Sequence, residues 1–256
     1  MALVILDRFS QWLQAYACKT KSAKETYSSF QRFLGPDVKA KHVYTDNSKE
    51  FEKALADLQF SHDTSTPYRP QTNGVAERAV RKVKEGTSST LLQSGWDEAW
   101  WPYAMVCYCF LRNIIDILAD GKTAYYHRFG INFPGPKIPF GCEVKYKPSS
   151  PADEDKVHKF GDKMLPGIFL GYDQQAGGGW SGDLLLADQE ELAAADSVSD
   201  VYIRRIPQKE VEVILVGGKW VFPLAVGSLQ QPTGGVKEKA MRRRKLHTIR
   251  RRQSRG

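Results

Sequence analysis

The chain has no long apolar run, few cysteines and little net charge outside one end. No stretch approaches the roughly 18–20 apolar residues that a bilayer-spanning helix needs. Met1–Leu6 is too short for the apolar region of a secretion signal, so the expected address is intracellular, with no membrane partner. Four cysteines occur: Cys18, Cys107, Cys109 and Cys142. Cys107 and Cys109 are two apart and would point to different faces of a helix. Reduced thiols are therefore expected, rather than a disulfide framework or a metal cluster. The charge is concentrated: Lys237–Gly256 holds ten Lys/Arg against one acid, Glu238, a net of +9, which leaves about −1 of the overall +8 for the other 236 residues. Such a like-charge block is typically disordered and attracts nucleic acid. A hydrophobic content of 41% and a charged content of 26% are ordinary for a globular protein. There is no clear internal repeat.

Ala2–Leu6 and Trp12–Ala17 read as two strands of a hairpin, with its turn at Arg8–Ser10. Ser22 followed by Glu25 has the capping-box pattern, and Tyr27, Phe30, Phe33 and Leu34 then repeat at helical spacing up to Gly35-Pro36. His42–Thr45 and Phe60–Thr64 read as short strands on either side of a helix at Glu50–Leu58. After the proline-punctuated loop Thr66–Asn73, a long helix is expected over Gly74–Leu92. A second is expected over Asp97–Ile117, with Pro102 tolerated in its first turns. Its aromatic residues Trp100, Trp101, Tyr103 and Phe110 read as core. This alternation predicts an α/β sheet. Beyond Gly121 glycine and proline become dense. Short apolar runs at Glu143–Tyr146, Gly167–Tyr172, Gly182–Ala187, Val198–Ile206 and Val211–Val216 predict a small β-barrel or sandwich-like module. From Gly227 onward disorder is expected.

Two segments carry chemistry. In Val43–Phe51, Asp46 ends a short apolar strand, and the C-terminal edge of a sheet is where open α/β folds place ligands. In Ser65–Arg78, a constrained loop leads into a helix whose first turn carries Glu77, where the helix dipole favours a carboxylate. Two such carboxylates can hold Mg²⁺, which prefers hard oxygen ligands. A pair of metals can activate the attacking oxygen and stabilise the leaving oxygen in phosphodiester chemistry. Taken singly, an Asp ending a strand is usually a turn residue, and a Glu in a first helical turn is usually a solvated dipole partner. Arg81 and Lys84 follow Glu77 at i+4 and i+7 on one helix face and could contact phosphates, or form a plain solvated basic face.

Together, "YTDNSKEF" and "STPYRPQTNGVAERAVRKVKEG" resemble the second Asp and the Glu of retroviral-type integrases, most closely those of copia-type retrotransposons. The similarity continues through "GWDEAWWPYAMVCYCFLRN" into "KTAYYHRFG", "PFGCEVKY" and "FGDKMLPGIFLGY". The resemblance implies a ribonuclease H-like α/β core fragment, a mixed sheet with helices, over residues 1–120. An SH3-like β-rich module would occupy 121–226 and a disordered basic tail 227–256. It implies that Asp46 and Glu77 are catalytic ligands of Mg²⁺ or Mn²⁺. Tyr68, Pro70, Gln71, Asn73 and Gly74 would form the active-site loop, with Arg78, Arg81 and Lys84 as further DNA contacts. The tail residues Arg242, Arg243, Arg244, Lys245, Arg250, Arg251 and Arg252 would bind nucleic acid or act as a nuclear import signal.

Two departures from the family pattern matter. Thirty residues separate Asp46 from Glu77, fewer than the family usually has, which a helix shortened by about one turn would explain. The first catalytic Asp of the family lies on a strand before the hairpin, and it has no counterpart here. Asp7 matches the hairpin turn instead. The paired His and Cys of the family's zinc-binding domain have no counterpart either. The implied activity is metal-dependent DNA strand transfer, with element ends and target DNA, or RNA, as partners, in a homo-oligomer. The missing Asp predicts an inactive chain. The alternatives are a non-enzymatic nucleic-acid-binding relic or domesticated interaction protein, and an incomplete piece of an active polyprotein.

Overall fold

A computed structural model describes residues 1–36, 38–64, 74–157 and 159–232. It contains strands β1 (Ala2–Leu6) and β2 (Leu13–Ala17), helix α1 (Ala23–Leu34), β3 (Val43–Thr45), α2 (Lys49–Asp57), β4 (His62–Thr64), α3 (Gly74–Ser94) and α4 (Trp101–Ile115). There follow α5 (Ala124–Phe129), β5 (Glu143–Tyr146), α6 (Pro151–Glu154), β6 (Leu165–Gln174), β7 (Trp180–Asp188) and α7 (Gln189–Ala194). The last strands are β8 (Ile203–Pro207), β9 (Val211–Val213), β10 (Leu215–Val216) and β11 (Lys219–Trp220). The mixed α/β class read from the sequence holds.

β1 and β2 form the expected antiparallel hairpin, with Leu3 opposite Tyr16 and Leu6 opposite Leu13. β3 and β4 pair in parallel, Val43 opposite His62 and Thr45 opposite Thr64. These are two separate two-stranded sheets. A five-stranded antiparallel sheet, in the order β8-β7-β6-β5-β9, makes up the glycine-rich half. Its middle strand β6 is almost wholly buried, as its apolar sequence demands.

The local signals are mostly where the chain put them. Ser22 caps α1, its hydroxyl accepting from the Glu25 amide. The capping box is not closed, because the Glu25 carboxylate instead accepts from the Lys19 and Thr20 amides. Gly35, at a left-handed φ of 78°, ends α1, a conformation that costs glycine little. The helix expected from Asp97 begins as a 3-10 turn, Glu98–Trp100, which Asp97 caps through the Ala99 amide. Pro102 then sits at the start of α4. The run Val198–Ile206 is divided into a 3-10 turn, Val198–Asp200, and β8. The disorder expected from Gly227 does not begin there. The Gln231 side chain donates to Gly95 O and accepts from the Asp97 amide, and Pro232 is buried. Gly95 itself has φ of 73°, and a Cβ there would lie 2.4 Å from the Ala225 amide nitrogen. A glycine is therefore required where the final segment crosses the end of α3.

α4 lies between the two halves, packing on β2 and α3 on one side and on β6 on another. One buried cluster runs through Trp12, Trp100, Phe110, Tyr146, Tyr172 and Ile206. It continues across residue 120, where the sequence changes character. A second cluster, with Leu13, Ala79, Val83 and Met105, seals α3 against the hairpin. Trp100 and Phe110 are core residues, as expected, and Trp101 and Tyr103 pack against the clusters partly buried.

Candidate nucleic-acid and metal site

Asp46 follows directly on β3. Thr45 is buried, and Asp46 is exposed at the strand's C-terminal end. The Asp46 carbonyl accepts from the Ser48 amide at 3.0 Å and from the Thr45 hydroxyl at 2.7 Å. These bonds turn the chain sharply into α2, where Ser48 stands at the N-cap position. The Asp46 side chain is thus left at a strand end with its backbone fixed.

Glu77 stands exposed in the first turn of α3. The buried face of α3 is Ala79, Val83 and Thr87. At 100° per residue, Glu77, Arg81 and Lys84 fall on the opposite side of the helix. Arg81 and Lys84 are exposed, and neither forms an ion pair with another described residue. Arg78 is also exposed, flanking that stripe. Tyr68, Pro70, Gln71 and Asn73 lie outside the described residues, as do Arg242–Lys245 and Arg250–Arg252; Gly74 opens α3.

Asp7 sits in the hairpin turn, as expected. Its carboxylate accepts from the Phe9 amide at 3.0 Å, the Ser10 amide at 3.4 Å and the Ser10 hydroxyl at 2.5 Å. Among the described residues, these hydrogen bonds shape the turn.

The metal ligands implied by the resemblance can be weighed on this donor set. Two-ion chemistry needs enough carboxylates to fix both ions, and Mg²⁺ gives up water reluctantly. Among the described residues, no group of three or more His, Cys, Asp or Glu side chains is arranged to hold a metal ion. Asp46 and Glu77 offer the right hard oxygens, but the described residues do not build a two-ion centre. The cysteines add nothing to it. All four are free, and burial pushes the Cys109 thiol up to about 12 and raises the Cys107 thiol as well. Neither supplies a thiolate near neutral pH.

Sequence reasoning missed the side chains that hold the strand behind Asp46. His62 Nε2 lies 2.8 Å from the Thr45 hydroxyl. At the other end of the ribbon, His42 Nδ1 is 3.0 Å from the Ser61 hydroxyl, and His42 Nε2 is 3.3 Å from the Asp63 carboxylate. No local pattern marks these pairs, because each joins residues about twenty apart across a parallel pairing.

No protein-family model matches the chain. It is similar to the retrovirus-related Pol polyprotein from transposon RE1 of Arabidopsis thaliana, 29% identical over 179 residues, which covers 66% of this chain and 12% of that protein. Its similarity to the Pol polyprotein from transposon TNT 1-94 of Nicotiana tabacum is 26% over 229 residues, covering 80% of this chain and 17% of that protein. The chain therefore spans less than a fifth of the length of these relatives. Among solved structures, it resembles the catalytic core domain of BIV integrase, with 22% identity, a TM-score of 0.39, and coverage of 48% of this chain and 82% of that one. It also resembles a chain of the simian T-cell lymphotropic virus intasome in complex with PP2A regulatory subunit B56 gamma. There the identity is 21% and the TM-score 0.41, with coverage of 84% and 72%.

Proposed function

From this homology to the Pol polyproteins of copia-type retrotransposons, we propose that the chain is part of an integrase that binds DNA. In this reading residues 1–120 are a ribonuclease H-like core segment, 121–226 an accessory β module and 227–256 a basic tail. The observation that carries the proposal is α3. It seals one face against the hairpin and α4 and turns Arg81 and Lys84 outward, beside Glu77 and without ion-pair partners among the described residues. Unpaired cations on a rigid helix suit phosphate oxygens, where they displace condensed counterions. Self-association and a nuclear location belong to the same proposal.

The reaction of the parent family is metal-dependent strand transfer, in which a hydroxyl attacks a phosphodiester. Asp46 and Glu77 would be two of its ligands. Because no group of three or more His, Cys, Asp or Glu side chains among the described residues is arranged to hold a metal ion, we propose that this chain alone binds DNA without joining it. That agrees with the reading of the chain as a non-enzymatic nucleic-acid-binding relic.

A titration of labelled duplex at several salt concentrations tests the binding. Arg81→Ala with Lys84→Ala should weaken binding to all sequences alike and reduce the salt slope by roughly 1.8, at about 0.9 per lost phosphate contact. An unchanged slope would remove α3 from the interface. A strand-joining assay with Mg²⁺ or Mn²⁺ tests the rest. Joining by this chain that disappears in Glu77→Gln would show that an unrecognised ligand completes the site.

A further inference from the structure

The ribbon that presents Asp46 is small. β3 and β4 are three residues each and, among the described residues, pair only with one another. Isolated two-stranded pairings are marginal in water, and three-residue parallel strands contribute few ladder bonds. Something else must hold the strand end still. At the start of the ribbon, the His42–Asp63 contact joins side chains 45% and 75% exposed, and such a pair contributes little in water. At the Asp46 end, the contact is made on Thr45, which is 7% exposed.

The hydrogens can be counted there. A threonine hydroxyl has one proton to donate. Thr45 donates it to the Asp46 carbonyl at 2.7 Å. At the 2.8 Å contact with His62, the hydroxyl oxygen must therefore accept, and His62 Nε2 must carry the hydrogen. The result is a directed relay, from His62 Nε2–H to the Thr45 hydroxyl and on to the Asp46 carbonyl. The Ser48 amide donates to the same carbonyl. Two donors thus fix the peptide plane from which the Asp46 side chain departs, and one of them is oriented from the neighbouring strand.

We infer that His62 is a positioning residue for Asp46, acting through the Thr45 hydroxyl. The inference rests on the reading of Asp46 as a site residue. His62 does not touch DNA in this role. Its Nε2–H sets the direction of the hydrogen bonds that hold the strand end. The requirement is for a donor at the Nε2 position, so a side-chain amide there should serve and an apolar group should not.

The test is nuclear magnetic resonance of the full chain, with ¹⁵N-labelled histidine and ¹³C-labelled aspartate carbonyls, free and with a short DNA duplex. In the free protein, His62 Nε2 should carry a proton. The Asp46 carbonyl signal should move in His62→Leu and in Thr45→Val, and return towards its original position in His62→Gln, which keeps a donor. Adding duplex should shift the Asp46 signal in the unmodified chain and in His62→Gln, with the shift lost in the other two variants. Thr45→Val changes shape little, so it carries the test if His62→Leu fails to fold. An unprotonated Nε2, or an Asp46 signal indifferent to Thr45→Val, would overturn the relay. If the relay signals are as expected but duplex leaves Asp46 unmoved in the unmodified chain, the reading of Asp46 as a site residue is what fails. The positioning role then falls with it, although the hydrogen bonds remain.

Discussion

Asn113 takes the place of a neighbouring strand at Leu13. Its amide nitrogen donates to Leu13 O at 2.8 Å, and its amide oxygen accepts from Leu13 N at 3.0 Å. β1 pairs with one edge of β2, and this buried side chain from α4 satisfies the other edge at that residue. A polar side chain is thereby retained in an otherwise apolar helix face, because buried backbone groups need partners.

Asn113→Leu should therefore be costly despite being more hydrophobic. It strips a buried amide and a buried carbonyl of their partners, at about 1–3 kcal/mol each, so a loss of roughly 2–6 kcal/mol is expected. The urea midpoint should fall while the slope stays the same. A midpoint equal to that of the unmodified protein would mean that Leu13 finds other partners.

A second prediction concerns acid. Arg204 grips Asp153 with both arms, Nη2 to Oδ1 at 2.7 Å and Nε to Oδ2 at 3.1 Å, and reaches Glu191 with Nη1 at 2.6 Å. Asp153 is 1% exposed. Its hydrogen bonds from Arg204 hold its carboxyl below the usual carboxylate range. Burial pushes the Asp188 carboxyl up, but the Glu191 amide, Lys156 and the Tyr146 hydroxyl together bring it below the ordinary value. A depressed folded pKa means stability that is present above the unfolded value, about 3.9 for Asp, and lost as pH falls through the folded value. Acid unfolding should accordingly begin below about pH 4. Arg204→Met leaves Asp153 buried without its cation, which should cost roughly 3–5 kcal/mol near neutral pH and less in acid, where protonation relieves the buried carboxylate. Arg204→Met with Asp153→Leu should recover much of that loss. Unfolding curves at several pH values check both, and an Arg204→Met loss that stays the same from neutral to acid pH would show that Asp153 is not held as described.

What was legible in the sequence is what local chemistry decides. The hairpin could be read because a turn rich in Asp and Ser separates two apolar runs, and α1 because Ser22 and Gly35 mark its ends. Asp46 and Glu77 stood out as a motif. The helices α5, α6 and α7 were not seen, since four to six residues are too few to display a helical period. Long-range partners were equally invisible. Asn113 and Leu13 are 100 residues apart and Arg204 and Asp153 are 51 apart, and nothing in either local pattern names the other. His62 read as an ordinary strand residue, because its role depends on the register that sets Val43 opposite it.

The last prediction concerns the joint between the hairpin half and the five-stranded sheet. A helix ends with carbonyls that have no partner within it. At the end of α1, Gly35 N donates to Gln31 O at 2.9 Å and Gly177 N to Arg32 O at 2.8 Å, while Arg128 Nη2 donates to Phe33 O. Arg128 Nε also donates to Gly177 O at 2.8 Å. The guanidinium lies over the rings of Phe33 at 4.9 Å and Trp12 at 5.5 Å. One side chain thus caps α1 and fixes the β6–β7 turn against it. The fit is close, since a Cβ on Gly178 would come within 2.7 Å of the Trp12 ring. A lysine cannot reproduce this fork, because its ammonium is a point charge without the planar pair of donors. Arg128→Lys should leave one of the two carbonyls short of a partner and cost about 1–3 kcal/mol. The loss should also be local. Amide exchange should quicken at Gly177 and Gly178, whereas amides in the β7–β8 pairing at Leu184–Ala187 keep their protection. Equal stability and unchanged exchange at Gly177 would show that the turn is seated by backbone contact alone and that Arg128 is dispensable to the joint.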